Sequence, residues 1–176
     1  TGFKGSWLTI WLKYLGAQII GYSLKDEKNL NLYNLIEENI QDKTISFYKN
    51  INNYEDIKKV ILETKPDIIF HMAAQTLVIE SYKNPISTWE TNLIGSINLL
   101  ESIKRLTKKC SLVVVTTDKV YKKKLGKEYL VEEDRLGGKD PYSASKSALE
   151  LAVTSYFESY FKNENSDTQK ISLATA

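Results

Sequence analysis

Tyr142 and Lys146 stand four residues apart in the stretch Asp140-Pro141-Tyr142-Ser143-Ala144-Ser145-Lys146. On a helix that spacing puts both side chains on one face, about a turn apart. The flanks favour a helix starting here. Asp140 can accept an otherwise unpaired N–H of the first turn, and Pro141 suits the first helical position, where no N–H is needed. A cationic amine beside a phenol favours the phenolate and draws the tyrosine's pKa toward the working pH. Such a tyrosine can act as general base or acid toward a hydroxyl. The same spacing also arises between unrelated surface residues, so its meaning depends on what the rest of the chain places around it.

The rest of the chain alternates strand-like and helix-like patterns. Helices are predicted over 6–15, 30–38, 54–64, 88–106 and 141–161, and strands over 17–21, 45–48, 67–72, 111–116 and 171–175. Trp7, Trp11 and Tyr14 alternate with Leu8, Leu12 and Leu15 on the first helix, which predicts burial on both sides. Leu149, Val153, Tyr156 and Tyr160 are expected to face inward on the last. Continuous apolar strands such as Leu112-Val113-Val114-Val115 belong to parallel sheets covered on both faces. The predicted class is therefore α/β, a Rossmann-like doubly wound parallel sheet. In such sheets ligands bind at the carboxyl ends of the strands, here residues 21–24, 72–75 and 116–119.

Composition narrows the function. The 176 residues carry 24 basic and 22 acidic side chains, interspersed, for a net charge of +2. No basic stripe points to nucleic acid, and Lys122-Lys123-Lys124 reads as a solvated loop. The apolar runs are too short to span a bilayer. The single cysteine, Cys110, allows no internal disulfide and reads as a small buried residue, which fits a cytoplasmic home. His71, the one histidine, reads as a hydrogen-bonded packing residue. No metal-ligand cluster is visible.

Thr1-Gly2-Phe3-Lys4-Gly5 leads directly into the first helix. Two glycines so placed resemble the latter part of a dinucleotide-binding turn, Gly2 admitting a pyrophosphate and Gly5 letting helix and strand pack closely. No strand feeds this turn, and Ser172-Leu173-Ala174-Thr175-Ala176 stops inside a predicted strand. The expectation is a sheet truncated at both ends.

Taken with Phe70-His71-Met72-Ala73-Ala74-Gln75, Thr91-Asn92-Leu93-Ile94-Gly95 and Thr116-Thr117-Asp118-Lys119, these motifs resemble the extended short-chain dehydrogenase/reductase superfamily. Within it, Gly21-Tyr22-Ser23-Leu24, the Asp118-Lys119 pair and Leu136-Gly137-Gly138-Lys139-Asp140-Pro141-Tyr142 resemble the CDP-glucose 4,6-dehydratase family. The resemblance implies that residues 1–176 form an NAD-binding Rossmann domain lacking its first strand and the C-terminal substrate domain. It implies NAD as cofactor, a nucleotide-sugar substrate and a homodimer, with no nucleic acid or membrane partner. An epimerase or a dehydratase for another nucleotide, and a non-catalytic NAD(P)-binding module, are the alternative readings.

Roles follow from the same resemblance. Tyr142, tuned by Lys146, would take the proton of the sugar 4-hydroxyl while NAD is reduced, with Thr117 aligning that hydroxyl. Lys119 would remove the proton on carbon 5, and Asp118 would protonate the departing 6-hydroxyl. An acid and a base at one strand tip suit adjacent carbons, and a lysine base must first be neutral. Cofactor contacts fall to Thr1, Gly2, Phe3, Gly5, Ser23, Asn50, Ile51, Ala73, Ala74, Asn92, Thr116, Tyr142 and Lys146, and substrate contacts to Gln75 and Thr117. The chain departs from the pattern at Ile79 and Glu80, where arginine is often found, and at Ser23 and Asn50, where acidic residues are common.

Overall fold

In the computed structural model, which describes residues 1–25, 31–122, 129–162 and 170–176, every strand pair between named strands is parallel. The chain divides into two units, Thr1–Asn50 and Ile51–Ala176. Strands and helices alternate in an α/β chain, as expected, and the strands form two parallel sheets, one of two strands and one of three.

The first unit holds α1 (Phe3–Tyr14), β1 (Ile19–Ser23), α2 (Leu32–Ile40) and β2 (Thr44–Tyr48). β1 and β2 pair from Ile19 opposite Thr44 to Ser23 opposite Tyr48. Gly16, at φ +83°, closes α1 in the left-handed conformation that glycine adopts without strain. Its N–H reaches the Lys13 carbonyl at 2.9 Å, and the Ala17 N–H reaches that of Leu12 at 3.0 Å. Ala17 is therefore spent on ending the helix, which is why β1 starts at Ile19 rather than at 17. Burial on both sides of α1 is not found. Leu8 and Leu12 are half-buried, while Trp7 and Trp11 are 53% and 63% exposed. A sheet packs against one side of a helix, so the side carrying Trp7 and Trp11 is left exposed.

The second unit holds α3 (Tyr54–Thr64), β3 (Ile68–His71), α4 (Val78–Lys83), α5 (Pro85–Trp89), α6 (Gly95–Ile103), β4 (Cys110–Val114), α7 (Pro141–Tyr156) and β5 (Ile171–Thr175). Its sheet runs β3-β4-β5. Ile57, Val60 and Ile61 of α3 are buried, as their spacing predicts, and with Leu99, Leu100 and Ile103 of α6 they supply core. Leu112, Val114, Leu149 and Val153 complete it.

Two further helices depart from the predicted pattern. The helix expected over 88–106 is broken by a π turn at Glu90–Ile94, and α6 stops at Ile103. A second π turn, Phe157–Phe161, follows α7. The extra residue in such a turn rotates everything after it around the helix. Tyr160, expected inward, is therefore 57% exposed, and Phe161 takes its place at 5%. Among the described residues no helix is long and apolar enough to cross a membrane. Lys123, Lys124 and Leu30 lie outside the described residues.

Candidate active site

Asp140 caps α7 as its position suggested. One carboxylate oxygen accepts the Ser143 N–H at 2.9 Å and the other the Ser143 hydroxyl at 2.7 Å. This places Tyr142 and Lys146 in the first two turns, where both are buried, at 8% and 4% exposure. Gly138 presses against that start. A Cβ there would lie 2.3 Å from the carbonyl carbon and Cβ of Ser143 and 2.5 Å from the Ala144 nitrogen. Gly138→Ala is therefore expected to push the connection off α7 and cost about 1–3 kcal/mol, read as a lower melting temperature of the full-length protein; an unchanged melt would mean that the contact relaxes freely.

The Lys146 ammonium donates to the Val115 carbonyl at 3.0 Å, just past β4. Burial pushes this amine down to about 8, against the opposing pull of the Glu150 carboxylate. Beyond Val115, Thr116 donates its hydroxyl to Glu150 Oε1 at 2.6 Å. Thr117 then caps the 3₁₀ turn Asp118–Val120, its Oγ1 accepting the Lys119 N–H at 3.4 Å. Asp118 and Lys119 are exposed, and Val120 is buried beneath them.

A buried amide holds the other strand tip. Asn92, inside the first π turn, is fully enclosed. Its Oδ1 accepts the Gln75 N–H at 2.8 Å, and its Nδ2 lies 3.0 Å from both the Gln75 carbonyl and the Ser145 hydroxyl. The Ser145 hydroxyl donates onward to the Tyr142 carbonyl at 2.7 Å. Hydrogen bonds thus join Gln75 and Asn92 to α7 at Ser145 and the Tyr142 carbonyl, and Lys146 holds Val115 just before Thr117, Asp118 and Lys119, with Ala73 and Ala74 in the loop between β3 and Gln75. Ile51 is buried beside α6, its carbonyl held by Asn98 Nδ2 at 3.1 Å.

His71 lies under this assembly. The Ser96 hydroxyl lies 2.7 Å from His71 Nε2 and 2.8 Å from the Asn92 carbonyl. Burial, with Lys146 adding to it, pushes the imidazole down to about 3. Its folded pKa lies below its unfolded one, so the unfolded chain binds the extra proton and stability falls with pH below 6.5. About 2 kcal/mol is expected to be lost between pH 7.5 and 5, above the carboxylate range. Chemical denaturation of the full-length protein across that window checks this, and the drop should shrink by the same amount in His71→Gln. Equal profiles would contradict it.

The remaining sequence-predicted residues sit in the first unit. Gly2 is the N-cap of α1 and offers no capping side chain, while a Cβ at Gly2 or Gly5 would meet nothing within 4 Å. That leaves backbone N–H groups and the positive helix end for an anion such as a pyrophosphate. The Thr1 hydroxyl donates to the Leu24 carbonyl at 3.1 Å, tying this turn to the end of β1 beside Ser23. Tyr22 donates to the Asn50 carbonyl at 3.1 Å, which draws in the end of β2.

Sequence reasoning missed Ser145, Ser147 and Glu150. A signal existed: Ser143, Ser145 and Ser147 crowd two turns of a helix in which serine is a poor former, so their hydroxyls needed partners. The π turn that buries Asn92 left no such trace.

Residues 1–163 match the family model described as GDP-mannose 4,6 dehydratase. The CDP-glucose 4,6-dehydratase of Salmonella typhimurium is 38% identical over 99% of the chain and 48% of its own length. Among solved structures, the dTDP-glucose 4,6-dehydratase of Bacillus anthracis in complex with NAD superposes with a TM-score of 0.76 at 26% identity, covering 99% of this chain and 51% of that one. The Thermus thermophilus UDP-glucose 4-epimerase complex with NAD also gives 0.76, at 28% identity over 90% of this chain and 49% of that one. The chain spans about half the length of the relatives it matches.

Proposed function

We propose, from the premise that the chain belongs to the GDP-mannose 4,6 dehydratase family, that the full-length protein is an NAD-dependent lyase converting CDP-glucose to CDP-4-keto-6-deoxyglucose. The observation that carries this reading is the joining of Thr117, Asp118 and Lys119 to the helix of Tyr142 and Lys146. One assembly then supplies a proton acceptor for a hydroxyl and a second acid–base pair for an elimination. Likeness to the Salmonella enzyme supports the choice of CDP-glucose.

The open N-cap of α1 fits a dinucleotide pyrophosphate, with Thr1, Gly2, Phe3 and Gly5 around it. Ser23, Asn50, Ile51, Ala73, Ala74 and Thr116 lie at or near strand ends, where adenosine and nicotinamide groups bind in such sheets. Asn92 would act from beneath, through the Gln75 loop. NAD, when bound, supplies the oxidant for carbon 4 and afterwards the reductant for carbon 6.

The chain's own residues move the protons. Tyr142 takes the proton of the 4-hydroxyl, aligned by Thr117, and Lys146 holds the phenolate's counter-charge. The resulting 4-keto group acidifies carbon 5, Lys119 takes that proton, and Asp118 gives one to the departing 6-hydroxyl. Water leaves, the proton held by Lys119 returns to carbon 5 as carbon 6 is reduced, and a proton equal to the one left on Tyr142 restores Asp118 through solvent. Gln75 contacts the sugar. The same reading places the enzyme in the cytoplasm as a homodimer; Cys110, buried and with its thiol pushed up to about 11, takes no part as a nucleophile.

Incubating the full-length protein and NAD with CDP-glucose, dTDP-glucose, UDP-glucose and GDP-mannose in parallel tests the reading. CDP-glucose is expected to be dehydrated fastest. Preference for another nucleotide overturns the substrate, a carbon-4 epimer without loss of water overturns the reaction, and NAD binding without turnover of any of them makes the protein a binding module.

A further inference from the structure

Lys146 and its neighbour Ser147 hold the two ends of one short segment. Lys146 takes the Val115 carbonyl at 3.0 Å, and the Ser147 hydroxyl lies 2.7 Å from the Val120 carbonyl. Thr117, Asp118 and Lys119 lie between those two anchors. The Ser147 hydroxyl has one proton; its other acceptor, the Ser143 carbonyl one turn back, is at 3.0 Å, so the shorter contact to Val120 is the favoured one. Ser147 is buried, at 6% exposure, and water does not replace it easily. The Gly137 N–H also reaches the Val120 carbonyl, at 2.8 Å.

We infer that Ser147 is a positioning residue that sets where Asp118 and Lys119 stand relative to Tyr142, and so governs the elimination rather than the oxidation. Thr117 fixes the turn at its start, through the Lys119 N–H and the Val120 N–H, the latter 3.1 Å from the Thr117 carbonyl. Ser147 fixes its end to the same helix that carries the phenol. Removing the hydroxyl leaves Tyr142, Lys146 and Thr117 with every hydrogen bond described above. The Asp118–Val120 turn loses one of its two anchors at Val120.

This inference rests on the dehydratase reading, so its test has one arm that does not. In the full-length protein, amide hydrogen exchange of residues 118–121 is compared between the parent and Ser147→Ala. Exchange there is expected to rise about fivefold to tenfold, the worth of one lost hydrogen bond, with residues 111–114 of β4 unchanged and Ser147→Thr restoring protection. Unchanged exchange at 118–121, or an equal rise throughout β4, overturns the clamp whatever the substrate. In the second arm, single turnover with CDP-glucose follows reduced cofactor and 6-deoxy product together. Ser147→Ala is expected to slow product about tenfold to a hundredfold, the usual price of misplacing a reacting group by about an ångström, while the first reduction stays within about threefold and reduced cofactor accumulates. Equal slowing of both, or of neither, overturns the assignment to elimination. A parent that makes no deoxysugar overturns the dehydratase reading, and the exchange arm still decides the clamp.

Discussion

Replacing Tyr142 with phenylalanine in the full-length protein is expected to remove both reduced cofactor and product. The substitution deletes one oxygen from a buried side chain and leaves the Asp140 cap, the Ser145 bond to the Tyr142 carbonyl and the Lys146 contact with Val115 in place. The helix should therefore stand. What disappears is the acceptor for the 4-hydroxyl proton, and a lost general base typically costs about a hundredfold to ten-thousandfold. Because this is the first proton to move, nothing downstream can accumulate. Retention of more than about a tenth of the parental rate would mean that another group takes the proton.

Lys119→Ala is expected to cost as much in product but to leave a different trace. Lys119 is exposed on the turn after β4, and truncating it disturbs no hydrogen bond of Tyr142, Lys146 or Thr117 described here. Oxidation at carbon 4 should proceed, and removal of the carbon-5 proton should stall, again by about a hundredfold to ten-thousandfold. Reduced cofactor should build up in a single turnover while 6-deoxy product lags. Product at the parental rate would reduce Lys119 to a charged residue leaving a strand. Absence of reduced cofactor would move its role to binding or to the first step.

The parts of the fold set by local rules were legible in the sequence. α3 runs over Tyr54–Thr64 and β5 over Ile171–Thr175 as their patterns predicted, because an Asn53 cap, a Lys65-Pro66 stop and a short apolar run act within a few residues. The start of α7 was legible for the same reason. Where a backbone turn that residue types do not announce or a lack of cover decides, the expectations were not met. β1 moved because Ala17 closes a helix, Tyr160 turned outward because a π turn changed the phase, and the aromatic face of α1 has only two strands in its own unit. In the site, residue types marked Tyr142 and Lys146, and likeness to known dehydratases marked Asp118 and Lys119. Ser145 and Ser147, which join these groups, act through backbone carbonyls that no motif records.

The proposed reaction removes water from CDP-glucose by an acid and a base of the full-length protein acting on adjacent carbons. Turnover of CDP-glucose by the full-length protein with NAD in deuterated water, followed by mass and NMR analysis of the sugar, tests it most directly. The expected outcome is a 4-keto-6-deoxy product carrying solvent deuterium at carbon 5, formed by the parent and suppressed in Lys119→Ala. A product that keeps its 6-hydroxyl with an inverted carbon 4, or a deoxysugar formed undiminished by Lys119→Ala, would contradict it.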